Sequence, residues 1–314
     1  MRAVTIVDGD LRWIEHPDPE PRQGEVLVSV AAAGINSADL MQRRGLYPAP
    51  PGWPADIPGM EFAGEVVGLG PAIEHASVGD RVMALAGGGG QAELVAVPES
   101  ALLPVPEDIH WDQAGGFPEA FSTAYDALFT QAGLVAGERV LISGAAGGVG
   151  TAAVQLARAA GARVVASVRS VDRHRQVAGL GADEVVEPDQ ALAFGPYDVS
   201  LELVGAAGVA AVLPHLALGG RVVVIGVGSG AKAELNLLAL MGSRSTIRGS
   251  TLRSRSIEDK AAVARAVEEH AVALLAAGDV VVPVAERIPM ARAADAYEQF
   301  AAGGKFGKIV LVTA

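Results

Sequence analysis

The chain has 314 residues, 50% of them hydrophobic, a formal net charge of −12 and no cysteine. That length allows two domains with ample core in each, and no apolar stretch reaches the ~18 residues of a membrane span. The missing cysteines exclude disulfides, thiol catalysis and thiolate–zinc sites, and the acidic balance argues against nucleic acid or an anionic membrane as partner. The opening MRAVTIVDGD turns acidic where a signal peptide would be apolar, so a cytoplasmic protein without an export signal is expected.

The first third reads as β-rich. Residues 1–7, 11–15 and 25–33 carry β-branched runs or alternation, with Asp8-Gly9-Asp10 as a hairpin turn, and 65–69, 80–84 and 91–97 continue the pattern. Residues 37–44 predict a short helix with Ser37 as its N-cap. Residues 47–59 hold five prolines and cannot be regular structure; they form either a rigid surface loop or a wall over a substrate site. From Phe117 the pattern alternates: helices at 121–132, 151–160, 172–180 and 209–216, and strands at 140–142, 163–166, 184–186, 199–203 and 221–225. Strands alternating with helices of this length imply a parallel, doubly wound sheet. A long helix follows at 257–277, then a helix at 291–302 and a strand at 308–312. The pattern does not show how this tail connects to the first third.

The most informative stretch runs from Val140 to Ser170, VLISGAAGGVGTAAVQLARAAGARVVASVRS. Strand, glycine turn, helix and strand within about thirty residues make the βαβ unit that holds a dinucleotide. Gly147 and Gly150 fall where the fingerprint wants its second and third glycines, and Ala145 replaces the first. Gly148 and Val149 complete a turn whose N–H groups would hold a pyrophosphate at the helix start. A tight turn without a ligand does not need three nearly consecutive glycines. At the end of the second strand no carboxylate stands where a ribose-binding acid would be. Ser167, Arg169, Ser170, Arg173 and Arg175 lie there instead, a set that suits a 2′-phosphate and favours NADP(H) over NAD. The alternative is a solvated first helical turn, which Asp172 partly fits.

Four segments resemble a known family: Gly34-Ile35-Asn36-Ser37-Ala38-Asp39 with Arg43, Gly45, Leu46, Tyr47 and Pro48; Pro58-Gly59-Met60-Glu61-Phe62-Ala63-Gly64; Phe117-Pro118-Glu119-Ala120-Phe121-Ser122-Thr123-Ala124; and Gly249-Ser250-Thr251-Leu252-Arg253-Ser254-Arg255. With the ending Gly307-Lys308-Ile309-Val310-Leu311, they are similar to the zinc-free quinone oxidoreductase (zeta-crystallin-like) branch of the medium-chain dehydrogenase/reductases. The resemblance implies an α/β chain with a β-rich GroES-like catalytic domain from 1–120 and 258–314. A Rossmann domain at 121–257 would be inserted in it, with NADP(H) in the cleft. Zinc-using relatives have Cys near Asn36 and His at Met60, so a metal-free site is implied; the six histidines lack ligand spacing.

By the same resemblance Asn36 and Tyr47 are the candidate donors to a quinone or enone. Their plainer alternatives are a turn amide and a loop-packing aromatic. Asn36, Thr123, Val204, Gly226 and Lys308 join the cofactor-binding set of Ala145, Gly147, Gly148, Val149, Gly150, Arg169, Ser170 and Arg173. Where many relatives grip the 2′-phosphate with Tyr, this chain has Pro188. A homodimer or tetramer is expected through the strand at 221–227 and the neighbouring 246–249. An enoyl or alkenal reductase, or a non-catalytic NADPH-binding crystallin, are the rival functions.

Overall fold

Among the described residues, 1–313, the computed structural model holds fifteen strands. The first seven are β1 (Arg2–Val7), β2 (Asp10–Glu15), β3 (Glu25–Gly34), β4 (Glu61–Leu69), β5 (Arg81–Leu85), β6 (Leu94–Pro98) and β7 (Leu102–Pro104). Then come β8 (Arg139–Ser143), β9 (Arg163–Ser167), β10 (Glu184–Val186), β11 (Tyr197–Glu202), β12 (Leu216–Val224), β13 (Thr246–Gly249), β14 (Val284–Pro289) and β15 (Lys308–Val312). They fall into two units: Met1–Ser122 together with the chain from Leu252 on, and Thr123–Thr251. The later border lies ahead of the expected 258 because Arg253, only 1% exposed, is already bonded within the first unit.

In the first unit β1 and β2 form an antiparallel hairpin, Val7 facing Asp10 across the two-residue Asp8-Gly9 turn. The main sheet runs β14-β15-β3-β4-β5-β7, with β6 also paired to β3. Strand β15 is parallel to β14 and antiparallel to β3, so the tail completes the sheet that the first third begins. Alternate residues Val26, Val28 and Val30 of β3 turn inward against Phe62, Val66 and Val82. Each buried side chain of this size contributes about 1.5–3 kcal/mol by leaving water. The helix Ser37–Arg43 starts one residue earlier than the sequence suggested, at the N-cap Asn36 rather than Ser37. The reason is Asp39, which stands three residues beyond Asn36 and accepts its backbone N–H at 2.8 Å, one half of a capping box. The helix expected over 257–277 holds, with one π-type turn, Glu268–Val272, between Ile257–Val267 and Ala273–Ala277.

The second unit is a six-stranded parallel sheet, β10-β9-β8-β11-β12-β13. Counted within the unit this is 3-2-1-4-5-6, the doubly wound order, whose reversal point lies between β8 and β11. Val140 to Ile142 and Val164 to Ala166 are buried throughout, as strands covered on both faces require. The helix expected over 209–216 is instead Ala206–Val212 followed by a 3₁₀ turn, and β12 begins at Leu216 rather than Arg221. Leu216-Ala217-Leu218 has a helical composition, but Leu216 pairs with Tyr197 and an irregularity restores the register at Arg221. No helix among the described residues is long and apolar enough to cross a membrane.

Candidate functional site

In the second unit, β8 ends at Ser143 and the chain turns through Gly144 to Gly147 into the helix Gly148–Ala159, with Gly147 as N-cap. The first intrahelical bond runs from the Thr151 N–H to the Gly147 carbonyl at 2.8 Å. The N–H groups of Gly148, Val149 and Gly150 therefore have no acceptor among the described residues. With the positive end of the helix dipole behind them they form a seat for an anion. A Cβ on Gly150 would stand 2.5 Å from the Gly144 carbonyl oxygen and 2.6 Å from Ala145 Cα, so only glycine lets the helix press onto the turn. A Cβ on Gly147 would meet nothing nearer than the Gly144 oxygen at 3.5 Å, which leaves that face open. Ala145 is buried and donates its N–H to the Ser167 carbonyl at 3.2 Å, tying the turn to β9. These residues fit a dinucleotide pyrophosphate.

Past β9, Arg169 is exposed and Ser170 half-buried. The Arg173 N–H returns to the Ser170 carbonyl at 2.9 Å, so Ser170 and Arg173 share one 3₁₀ turn; Arg173 Nη1 also donates to Gln176 Oε1 at 3.1 Å. Val204 follows β11 and Gly226 follows β12. The carboxyl ends of β8, β9, β11 and β12, where doubly wound sheets take ligands, thus gather every expected residue of this unit except Thr123. That residue is buried in the helix Pro118–Tyr125. Sequence reasoning missed Glu202, whose buried Oε1 accepts Ser143 Oγ at 2.8 Å and the N–H groups of Val204 and Gly205 at 2.6 and 2.8 Å. The Gly226 N–H donates to the Glu202 carbonyl at 3.1 Å. One residue therefore holds three of the four strand ends, and its only signal was an acid inside the apolar run VSLELVG.

The first unit supplies a buried polar cluster around Asn36. Glu61 begins β4 and is 0% exposed; Gly34 leaves it room, since a Cβ there would stand 2.2 Å from Glu61 Oε1. Glu61 Oε1 accepts Asn36 Nδ2 at 2.9 Å and Lys308 Nζ at 2.5 Å, while Oε2 accepts the Glu119 N–H at 2.9 Å. Lys308 Nζ also donates to Asn36 Oδ1 at 2.6 Å and to the Ile35 carbonyl at 3.2 Å. An ammonium has three protons, and all three are taken. Lys308, expected among the cofactor-binding residues, is within its own unit a partner of Asn36 and Glu61. Both ends of the Asn36 side chain are held by Glu61 and Lys308, and one Nδ2–H remains.

Asp39, also buried, accepts the Asn36 and Gly59 N–H groups at 2.8 and 3.1 Å. Burial pushes its carboxyl up to about 6, against the lowering effect of those bonds and of the Arg253 and Lys308 charges. Arg253, unassigned by the sequence reading beyond its motif, pins the proline-rich loop. It donates to the Tyr47 carbonyl at 3.0 Å, to Gln42 Oε1 at 2.5 Å and to the Gly87 carbonyl at 2.8 Å, and its guanidinium lies 5.2 Å from the Tyr47 ring centroid. Tyr47 itself is half-buried, and burial, with the nearby Glu119 charge, raises its hydroxyl pKa while Arg253 opposes the rise. Met60, 5% exposed, precedes Glu61, and among the described residues no three His, Asp or Glu side chains gather as a metal site.

Comparison with known proteins finds relatives that share this fold. Residues 148–269 match the family described as zinc-binding dehydrogenase and residues 22–107 the alcohol dehydrogenase GroES-like domain. Quinone oxidoreductase of Mus musculus is 32% identical over 307 residues, 94% of this chain and 91% of that protein. Among solved structures, a thermostable alcohol dehydrogenase from Pyrobaculum aerophilum superposes with a TM-score of 0.84 at 29% identity, covering 99% of this chain and 98% of the other. The quinone oxidoreductase from Coxiella burnetii does so with a TM-score of 0.78 at 25% identity, covering 100% and 99%.

Proposed function

The chain belongs to the quinone oxidoreductase branch of the medium-chain dehydrogenase/reductase family, whose members are oxidoreductases that use a nicotinamide cofactor, and on that premise we propose that it reduces a quinone or similarly activated unsaturated carbonyl with NADPH and without zinc. The reduced nicotinamide, when bound, supplies the hydride. The free N–H groups of Gly148, Val149 and Gly150 hold the pyrophosphate. Ser170 and Arg173, with Arg169 beside them, hold the 2′-phosphate by charge-assisted bonds. The remaining Nδ2–H of Asn36 and the Tyr47 hydroxyl donate to the carbonyl oxygen as charge develops on it. A simple ketone would call for a Lewis acid at that point; a quinone spreads the charge through its ring, so neutral donors suffice.

The observation that carries this reading is the cluster in the first unit: it converges on an uncharged donor, Asn36, bonded to Glu61, and the residue before Glu61 is Met60 rather than a histidine. The protein acts as a homodimer, joined along the edge strand β13. Leu237, Leu238 and Met241 of the helix before it are 63%, 79% and 70% exposed, a patch that a second copy would cover. Sedimentation at micromolar concentration checks this, and a monomer mass would refute it.

The test of function is consumption of NADPH and NADH across quinones, alkenals and enoyl thioesters, with and without a zinc chelator. Quinones should be reduced fastest, with no loss on chelation. Arg173→Ala should weaken NADPH about ten- to a hundredfold, the worth of one charge-assisted bond, and leave NADH nearly untouched. Preference for alkenals would move the assignment to the sister reductase, and NADPH binding without turnover of any acceptor to a crystallin-like role. Zinc-restored activity would overturn the metal-free reading.

A further inference from the structure

The cluster around Asn36 holds more charge than packing alone would keep. Lys308 and Glu61 are 2% and 0% exposed, and an ion pair this deep is seldom more stabilising than apolar residues of equal volume. Its geometry is specific to the amide between its members. The ammonium meets Oδ1 at 2.6 Å and the carboxylate meets Nδ2 at 2.9 Å. A flipped amide would set Oδ1 against the carboxylate and Nδ2 against the ammonium, two repulsions at hydrogen-bond distance. The pair therefore fixes which atom of Asn36 points where, and the free Nδ2–H always faces the same way.

We infer that Lys308 and Glu61 are positioning residues for the reaction: together they orient the Asn36 amide, and Lys308 polarises it so that its remaining N–H is a stronger donor to the oxygen of the acceptor. Drawing electron density toward Oδ1 makes the N–H more positive, the cooperative strengthening expected along a hydrogen-bond chain in a low-dielectric interior. The two charges also cancel. A lone Glu61 carboxylate next to Asn36 would repel a developing oxyanion, and Lys308, bonded to the same Oε1 at 2.5 Å, removes that repulsion. This inference rests on Asn36 being the donor, as proposed above, and the experiment keeps the two separable.

The chain contains two asparagines, Asn36 and Asn236, so protein labelled with ¹⁵N-asparagine shows two side-chain NH₂ pairs. Asn236 caps an exposed helix, its Oδ1 accepting only the neutral Ala239 N–H at 3.1 Å, and serves as an internal reference. In the native protein the Asn36 pair should lie downfield of the Asn236 pair in ¹⁵N, a measurement that needs no variant to fold. In the neutral double variant Glu61→Gln/Lys308→Met the Asn36 pair should move upfield and the Asn236 pair stay. Turnover of that variant on 1,4-benzoquinone should fall roughly tenfold, below the 10²–10³ of deleting an oxyanion donor outright. It should fall further on cyclohexenone, which stabilises its own charge less and leans more on the donor. An Asn36 pair at or upfield of Asn236 in native protein, or an equal loss on both acceptors, overturns the inference. Asn36→Ala decides the underlying reading: if it turns over at the native rate, Asn36 is not the donor. If Asn36→Ala is slow and the double variant fast, only the positioning role falls.

Discussion

At the Gly144–Gly150 turn of the second unit the polar groups are backbone N–H, whereas around Asn36 in the first unit they are side chains. The turn is made within one short stretch, and its requirement is that residues be small. The cluster joins Asn36 to Glu61, 25 residues on, and to Lys308, 272 residues on. Its requirement is for particular charges at particular distances. A backbone seat recognises a charge and a shape shared by every dinucleotide. A side-chain cluster can instead be tuned to one acceptor. On the function proposed above, the fold keeps its cofactor chemistry constant in one unit and leaves its substrate chemistry open to change in the other.

The largest expected effect tests the side-chain half of that contrast. Lys308→Met leaves Glu61 as a buried carboxylate without its cation and should cost about 3–5 kcal/mol of stability, read by denaturant unfolding; a loss under 1 kcal/mol would mean that water, not Lys308, satisfies Glu61. Next is the acid in the same cluster. Asp39 titrates at about 6 when folded, against 3.8 for an ordinary aspartate. Between those values the folded protein binds a proton that the unfolded chain has released. This group's contribution to stability therefore falls as pH rises through the window and stays low above about 6. The stability of the native protein relative to Asp39→Asn should drop by roughly 2 kcal/mol between pH 4 and pH 7, and a flat difference would show that Asp39 is solvated. The smallest effect concerns the backbone half. Gly150→Ala should lower stability by about 1–3 kcal/mol through overpacking, while Gly147→Ala should stay within about 0.5 kcal/mol. Both should weaken the dinucleotide. Equal melting losses for the two would erase the distinction between a glycine the fold needs and one the ligand needs.

The contrast also explains what could be read from the residues. The nucleotide turn was legible because strand, glycines, helix and strand follow one another, and each has a local physical reason. The parallel order of β8 to β12 was legible for the same reason. Asn36 and Tyr47 stand out only through resemblance, and so does Lys308 as a cofactor-binding residue, because nothing in Gly-Lys-Ile-Val-Leu reveals a carboxylate 247 residues earlier. Glu202 and Arg253 were hidden in the same way: a buried charge in an apolar run is visible, but its partners are not. Strand β12 was cut short at Arg221 because Ala and Leu favour helix where pairing with Tyr197 decides for strand. The N-cap was misplaced by one residue because Ser37 has the commoner capping hydroxyl, yet Asp39 is spaced for Asn36.

The place of β15 in the first sheet has a consequence for how the chain is made. Glu61 leaves the ribosome early, and its counter-ion Lys308 follows 247 residues later, a delay of roughly 10–50 s at 5–20 residues per second. For all that time the carboxylate must stay hydrated, so the interior around Asn36 remains open and the sheet unfinished at β3. The second unit is contiguous and is complete once Thr251 has emerged. Nascent chains therefore pass through a state with a formed second unit and an open cluster around Asn36, and β15 both closes the first sheet and neutralises Glu61.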